Sequence, residues 1–172
     1  SGPFGARRFD SCLRRFRKKK TYYVSVSSFG KGVFALRDIK KGELIMKFKG
    51  KIISGNELDQ ITKAGRNTLV DPLHISEKKF MFILEPYVLV NHSCNPNAGL
   101  KRNVNLITLR NIKKGKEIFY DYSSVWWEGF RCKCGELNCR KYVSTFHSIP
   151  KKIQKRYIKL GIVPKFILNK LK

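Results

Sequence analysis

Between Thr21 and Ser54 apolar and polar positions change over with short periods. Tyr22, Val24 and Val26 alternate with Tyr23 and Ser25, the period of two expected of a strand. Val33-Phe34-Ala35-Leu36 and Leu44-Ile45-Met46-Lys47-Phe48 follow as short apolar runs, with Gly30, Gly32, Lys41-Gly42 and Gly50 as turn punctuation. Ser54 with Glu57 three residues later is a capping-box pair and predicts a short helix to about Ala64. Residues 65–100 hold neither period cleanly. Leu106-Ile107-Thr108-Leu109 and Glu117-Ile118-Phe119-Tyr120 read as two strands joined through Lys114-Gly115. After Ser148 the period lengthens: Ile153, Tyr157 and Leu160 fall at i, i+4 and i+7, with Pro150 near the start and Gly161 at the stop. Pro164 opens a second, shorter helix carrying Phe166, Ile167 and Leu171. No internal repeat is visible. The pattern predicts a mostly β (α+β) domain closed by a small helical cap.

At 172 residues the chain suits one domain, and 42% hydrophobic residues suffice for a core. No stretch nears the roughly 18 uninterrupted apolar residues of a membrane helix. The segment after Ser1-Gly2 is Arg-rich where a signal peptide would be apolar. Five cysteines, an odd number without an export signal, argue for thiols in a reducing, intracellular compartment. Membrane proteins and secreted disulfide scaffolds are thereby excluded.

The net charge is +25, unevenly placed. Residues 1–20 hold eight basic residues and one acid, and residues 151–172 hold eight basic residues and none. Residues 56–100 sum to −1, with Glu57, Asp59, Asp71, Glu77 and Glu85 against Lys63, Arg66, Lys78 and Lys79. Such a charge self-repels, and a polyanion such as DNA relieves it; the same runs are also compatible with plain solvated surface.

Cys132, Cys134 and Cys139 form C-x-C-x4-C, with Gly135 allowing a tight loop. Three thiols within eight residues suit three corners of a tetrahedral Zn²⁺ site. Cys94 leads as the fourth ligand, ahead of Cys12, His92 and His147. Free thiols or a labile disulfide are the competing reading.

Four motifs in order carry a family resemblance: Gly30-Lys31-Gly32-Val33-Phe34-Ala35, Asn91-His92-Ser93-Cys94-Asn95-Pro96-Asn97, Gly115-Lys116-Glu117-Ile118-Phe119-Tyr120-Asp121-Tyr122, and the C-x-C-x4-C. Together they resemble the SET-domain protein lysine methyltransferases with a post-SET zinc loop, over about Tyr22 to Val143. The resemblance implies small curved β-sheets with a knot-like substructure. It divides the chain into a basic segment (1–20), the SET domain (21–124), the zinc loop (125–143) and a basic helical extension (144–172).

The resemblance also implies S-adenosyl-L-methionine as methyl donor, with S-adenosyl-L-homocysteine as product, and Zn²⁺ on Cys94, Cys132, Cys134 and Cys139. Lys31, Gly32, Val33 and Phe34 would approach the donor through their backbone, and Asn91 and His92 would hold its amino group and adenine edge. Trp126, Trp127 and Phe130 would close an aromatic lid; the two Trp could equally be core. Tyr122 would be the catalytic hydroxyl, and Tyr120, two residues earlier, would restrict the product mainly to mono-methyl-lysine. Substrates would be histones or other basic DNA-associated proteins, with residues 56–100 supplying acids to the peptide groove and the basic termini meeting DNA or the nucleosome. The location would be chromatin in a eukaryote. Lys exceeding Arg by 25 to 12 points to an AT-rich genome; in an intracellular bacterium the location would be cytoplasm, nucleoid or a host nucleus.

Two stretches depart from the family pattern, and Cys12 stands alone where a zinc-rich pre-SET cluster is expected. Phe48 lacks the hydroxyl that often lines the lysine channel, and Val88-Leu89-Val90 replaces Arg-Phe-Ile before Asn91. They keep open a second reading: a catalytically weak or inactive, zinc-stabilised module that binds nucleic acid or chromatin.

Overall fold

The computed structural model describes residues 20–64, 72–125 and 129–171. β1 (Tyr22–Ser27) and β2 (Gly30–Ala35) form an antiparallel hairpin from Tyr22↔Ala35 to Ser27↔Gly30. Only β2 is deeply buried: Val33 and Ala35 are inaccessible, while Val26 on β1 is 84% exposed. The alternation along β1 therefore marks a strand but not a buried face.

β3 (Leu44–Lys47), β7 (Ala98–Lys101) and β8 (Asn105–Thr108) make a three-stranded antiparallel sheet in the order β3-β8-β7. A second sheet, in the order β4-β6-β5, joins β4 (Gly50–Ser54), β5 (Pro72–Ser76) and β6 (Lys79–Ile83). α1 (Gly55–Lys63) follows β4 and begins with the expected capping box: Ser54 Oγ accepts from the Glu57 N–H, and the Glu57 carboxylate accepts from the Ser54 N–H. Val33, Ile45, Met46, Leu100, Leu106 and Ile118 fill the core between the hairpin and the central sheet.

Glu117–Tyr120 departs from the strand pattern. β8 pairs with β3 and β7 on its two edges, and residues 117–120 make only isolated bridges, Phe34↔Glu117 and His92↔Tyr120. Their backbone groups are shared among several partners. Ile118 donates to Val33 O, Tyr120 to Asn91 O, and Phe119 to the Asn97 side chain, whose amide donates back to Glu117 O. The segment lies between β2 and the 91–98 loop, bonded to both.

At the C-terminal side lie β9 (Phe130–Arg131), β10 (Tyr142–Val143), α2 (Lys151–Leu160) and α3 (Lys165–Asn169). α2 stops at Gly161, whose φ of +66° is readily available to glycine. Its buried residues are Gln154 and Tyr157, with Ile153 and Leu160 half-buried beside them. Gln154 is inside because its amide donates to the carbonyls of Ile149 and His147. Leu109, Phe146, Ile149, Tyr157, Ile162 and Val163 form a cluster under this cap, separate from the main core. Among the described residues no helix is long and apolar enough to cross a membrane.

Candidate active site and cysteine centre

Asn91 and His92 follow a single 3-10 turn (Tyr87–Leu89) and face the 117–120 segment. The Asn91 amide donates to Lys31 O at 3.0 Å and to the Glu117 carboxylate at 2.8 Å. Ser27 donates to the same carboxylate at 2.9 Å, so Glu117 ties the hairpin to the 91–98 loop. Gly32 leaves room for this arrangement, because a Cβ there would collide with the Glu117 carboxylate and force it to shift.

His92 is buried, and that burial pushes it down to about 4. Its Nδ1 accepts from the Tyr122 N–H at 3.2 Å, so the ring proton resides on Nε2, which lies 3.4 Å from Cys94 Sγ. Asp121 Oδ1 is 3.8 Å from Nδ1, but a neutral imidazole makes no ion pair with it. The Tyr122 hydroxyl donates to Val90 O at 2.9 Å. Tyr122 also packs against Tyr120 at 4.8 Å, His92 at 5.3 Å and Phe130 at 6.0 Å between ring centroids. Phe48, buried at 1% exposure, meets the edge of Tyr120 at 6.0 Å and tilts against Tyr87 at 5.6 Å.

Asn91, His92, Tyr122 and Phe130 share the lining of one cavity of about 330 Å³, completed by Phe29 and Arg131–Cys134. The β2 residues contribute unequally. Lys31 reaches Asn91 through its carbonyl and Gly32 admits Glu117, whereas Val33 is in the core and Phe34 stacks on Tyr23. Trp126 and Trp127 lie outside the described residues. A larger hollow of about 600 Å³, between β1, β3 and Tyr87, contains none of the expected site residues.

The Cys94, Cys132, Cys134 and Cys139 sulfurs lie within 4.8 Å of one another, with Cys94 and Cys132 at 3.8 Å. Tetrahedral Zn–S bonds of about 2.3 Å require sulfurs roughly 3.8 Å apart, so the spacing fits the ion. N–H groups also converge on the sulfurs: Arg140 N–H on Cys94 and Lys141 N–H on Cys139, each at 3.4 Å. The latter bond lowers Cys139 to about 7, and burial raises Cys132. Of the alternative ligands, His147 is exposed in the turn before α2, and Cys12 lies outside the described residues.

Sequence patterns missed a buried centre beside this site. Asp121, 3% exposed, receives both Arg140 Nη atoms at 2.8 Å, the Tyr157 hydroxyl at 2.8 Å, and the N–H and hydroxyl of Ser123 at 3.0 and 2.7 Å. Burial opposes ionisation, but Arg140 outweighs it and holds Asp121 below the usual carboxylate range. The available signal was an acid flanked by two aromatics, Tyr120 and Tyr122, which once buried demands a cation.

Of the acids in residues 56–100, three have partners in the structure, and Asp71 lies outside the described residues. Glu57 caps α1, Glu85 is 3.4 Å from Lys31, and Glu77 is 3.9 Å from Lys170.

A family model described as SET domain matches residues 30–123. Histone-lysine N-methyltransferase ASHH3 of Arabidopsis thaliana is 25% identical over 155 residues, covering 77% of this chain and 40% of its own length. ASHR3 of the same plant is 29% identical over 157 residues, covering 82% and 32%. The trithorax histone-lysine N-methyltransferase of Drosophila virilis is 28% identical over 151 residues, covering 73% and 4%. The chain thus spans less than half the length of these relatives. A solved structure of ctPRC2, in an autoinhibited conformation bound to S-adenosylmethionine, aligns with a TM-score of 0.53 at 22% identity over 62% of this chain and 15% of that one, a likeness of fold.

Proposed function

The chain belongs to the SET domain family, and from that premise we propose that it is an S-adenosylmethionine-dependent protein lysine N-methyltransferase acting on histones or similar basic, DNA-associated proteins. The observation that carries the reading is the convergence of Asn91, His92, Tyr122 and Phe130 on one cavity beside four clustered cysteines. When bound there, the donor supplies a sulfonium methyl for in-line displacement by a neutral lysine amine.

The chain's own residues position and shield that step. Asn91 Nδ2 is committed to Lys31 and Glu117, which leaves its Oδ1 to accept from an ammonium. Phe130, edge-on to His92 at 5.4 Å, offers an apolar wall for a flat ring. The Tyr122 hydroxyl is aimed by Val90 O on one side and its own N–H by His92 on the other. From there the oxygen can orient a methyl through weak C–H···O contacts. Cys94, Cys132, Cys134 and Cys139 would hold Zn²⁺ as a staple for the loop that carries the cavity's Arg131–Cys134 wall.

The decisive test incubates the protein with labelled methyl donor and histones, nucleosomes or cell extract, and locates methyl-lysine by mass spectrometry. Tyr122→Phe is expected to remove most turnover with donor binding retained; full activity in that variant refutes the assignment. Tyr120, packed between Tyr122 and Phe48, would restrict the product mainly to mono-methyl-lysine. Tyr120→Phe is expected to shift products toward di- and trimethyl-lysine, and trimethylation by the unmutated chain refutes that role.

The exposed Lys151, Lys152, Lys155 and Arg156 on α2 would grip nucleic-acid phosphates and place the protein on chromatin. DNA-bound substrate is then expected to be methylated faster than free substrate, with salt erasing the advantage. Phe48, packed without a hydroxyl among Tyr87 and Tyr120, favours one alternative: a chromatin-binding module with little or no turnover. Donor binding without product at any substrate would select it.

A further inference from the structure

Three stretches distant in sequence meet at the Asp121 carboxylate. Ser123 holds it from within its own turn, Arg140 from the residue after the last cysteine, and Tyr157 from the middle of α2. Five donors serve two oxygens. Tyr157 is 2% exposed and its hydroxyl lies 2.8 Å from Oδ2. The other buried side chain of α2, Gln154, bonds carbonyls of the segment leading into that helix. Tyr157 is therefore the buried α2 residue that crosses to the turn bearing Tyr122. Burial and the neighbouring carboxylate push its phenol well above the usual range, so the O–H persists as a donor at working pH.

The consequence lies one peptide away. Asp121 and Tyr122 are adjacent, and the Tyr122 N–H is held by His92 Nδ1 at 3.2 Å. The plane of the 121–122 peptide is thus set jointly by the Asp121 rotamer and that bond. Losing the donor from α2 leaves Oδ2 to its Arg140 bond alone, so the carboxylate re-seats on Arg140 and Ser123, which moves the peptide and with it the Tyr122 ring. We propose that Tyr157 is a positioning residue for Tyr122, acting through Asp121, so that docking of the C-terminal helix is a requirement of methyl transfer. The inference rests on the reading of Tyr122 as the catalytic hydroxyl.

The test removes only the hydroxyl. In the full-length Tyr157→Phe variant, amide hydrogen exchange is measured without donor or substrate. The Tyr122 and Ser123 amides are expected to exchange about tenfold faster, with β7 and β8 unchanged. In steady-state methyl transfer kcat is expected to fall about tenfold while the donor KM stays within about twofold. Placing 4-aminophenylalanine at position 157 restores a para donor and is expected to recover both readouts, even if Tyr157→Phe loosens all of α2. Unchanged exchange at the two amides, a uniform rise that includes β7 and β8, or no recovery with the amino analogue overturns the proposal. Exchange needs no turnover, so a chain that transfers no methyl groups refutes the functional reading alone and leaves this arm to decide the coupling.

Discussion

Leu106 in β8 and Cys132 just after β9 are both buried, at 0% and 6% exposure, but their surroundings hold them by different means. Leu106 lies in the larger apolar cluster, fed by both the hairpin and the central sheet. Each such side chain, fully buried, contributes about 1.5–3 kcal/mol by removal from water. Cys132 belongs to a cluster whose buried members are Cys94, Cys132 and Val143, beside two strands of two residues each. Strands that short do not persist alone, and Leu137 in the same loop is fully exposed. The sheet side of the molecule stands on area, and the cysteine side on a buried ion pair and four thiols spaced to hold a metal ion. The candidate cavity is walled by both, since Asn91, His92 and Tyr122 come from one and Phe130 to Cys134 from the other.

Metal removal breaks the comparison most severely. Freshly purified protein is expected to carry one Zn²⁺ per chain, and a chelator is expected to unfold residues 129–145 with loss of donor binding. Structural zinc contributes on the order of 10 kcal/mol to a loop of this kind, far above the roughly 1.5–3 kcal/mol from burying Val143, the cluster's one buried residue that is not a cysteine. The central sheet should keep its exchange protection. Limited proteolysis after chelation checks both halves, and a loop that stays resistant, or a metal-free preparation that binds donor, contradicts the assignment.

The second effect strikes the pair that joins the two regions. Arg140→Gln leaves Asp121 buried with its charge uncompensated, a loss of about 3–5 kcal/mol for a buried pair deprived of one partner. Arg140 is itself well covered, with 10% of its side chain exposed, so solvent offers little relief. Urea unfolding is the measure. The variant is expected to lower the midpoint strongly while retaining zinc, because the Arg140 N–H to Cys94 belongs to the backbone and survives. A midpoint near that of the unmutated chain would mean that the pair adds little.

What could be read from the chain follows the same division. Local signals were legible: the capping box at Ser54, the glycine stop at Gly161 and the strand from Tyr22 each depend on residues within a few positions, whereas Gly30 and Gly32, which look like turn residues, lie within β2. The resemblance carried the family and gathered the candidate site residues from four motifs. What escaped was long-range or shared. Glu117–Tyr120 has strand-like residues, but its hydrogen bonds go to Val33, Asn91 and Asn97 rather than to one neighbour. β5 and β6 alternate weakly because the Glu77-Lys78 turn and the flanking Lys79 dilute their pattern. Asp121 finds Arg140 and Tyr157 at separations of 19 and 36 residues, which no periodicity encodes. The lid expected of Trp126 and Trp127 lies outside the described residues.

The smallest effect sharpens the boundary itself, at His92. Burial lowers its folded value to about 4 from an ordinary value near 6.5, so the unfolded chain takes up a proton that the folded chain refuses. Between those two values the unfolded state binds more protons, and stability rises with pH. The contribution is fully present above about pH 6.5 and is lost as pH falls toward 4; it amounts to roughly 3 kcal/mol by linkage. The geometry gives the same sign, because protonating Nδ1 would destroy the acceptor for the Tyr122 N–H. Cysteine ligation weakens over the same range, so a melting curve alone mixes the two effects. NMR titration of the His92 ring separates them: its shifts should stay at neutral values down to about pH 5, with the Nε2 tautomer throughout. A ring that titrates near 6.5 in the folded protein would place His92 in contact with solvent and remove the wall it forms between the cavity and Cys94.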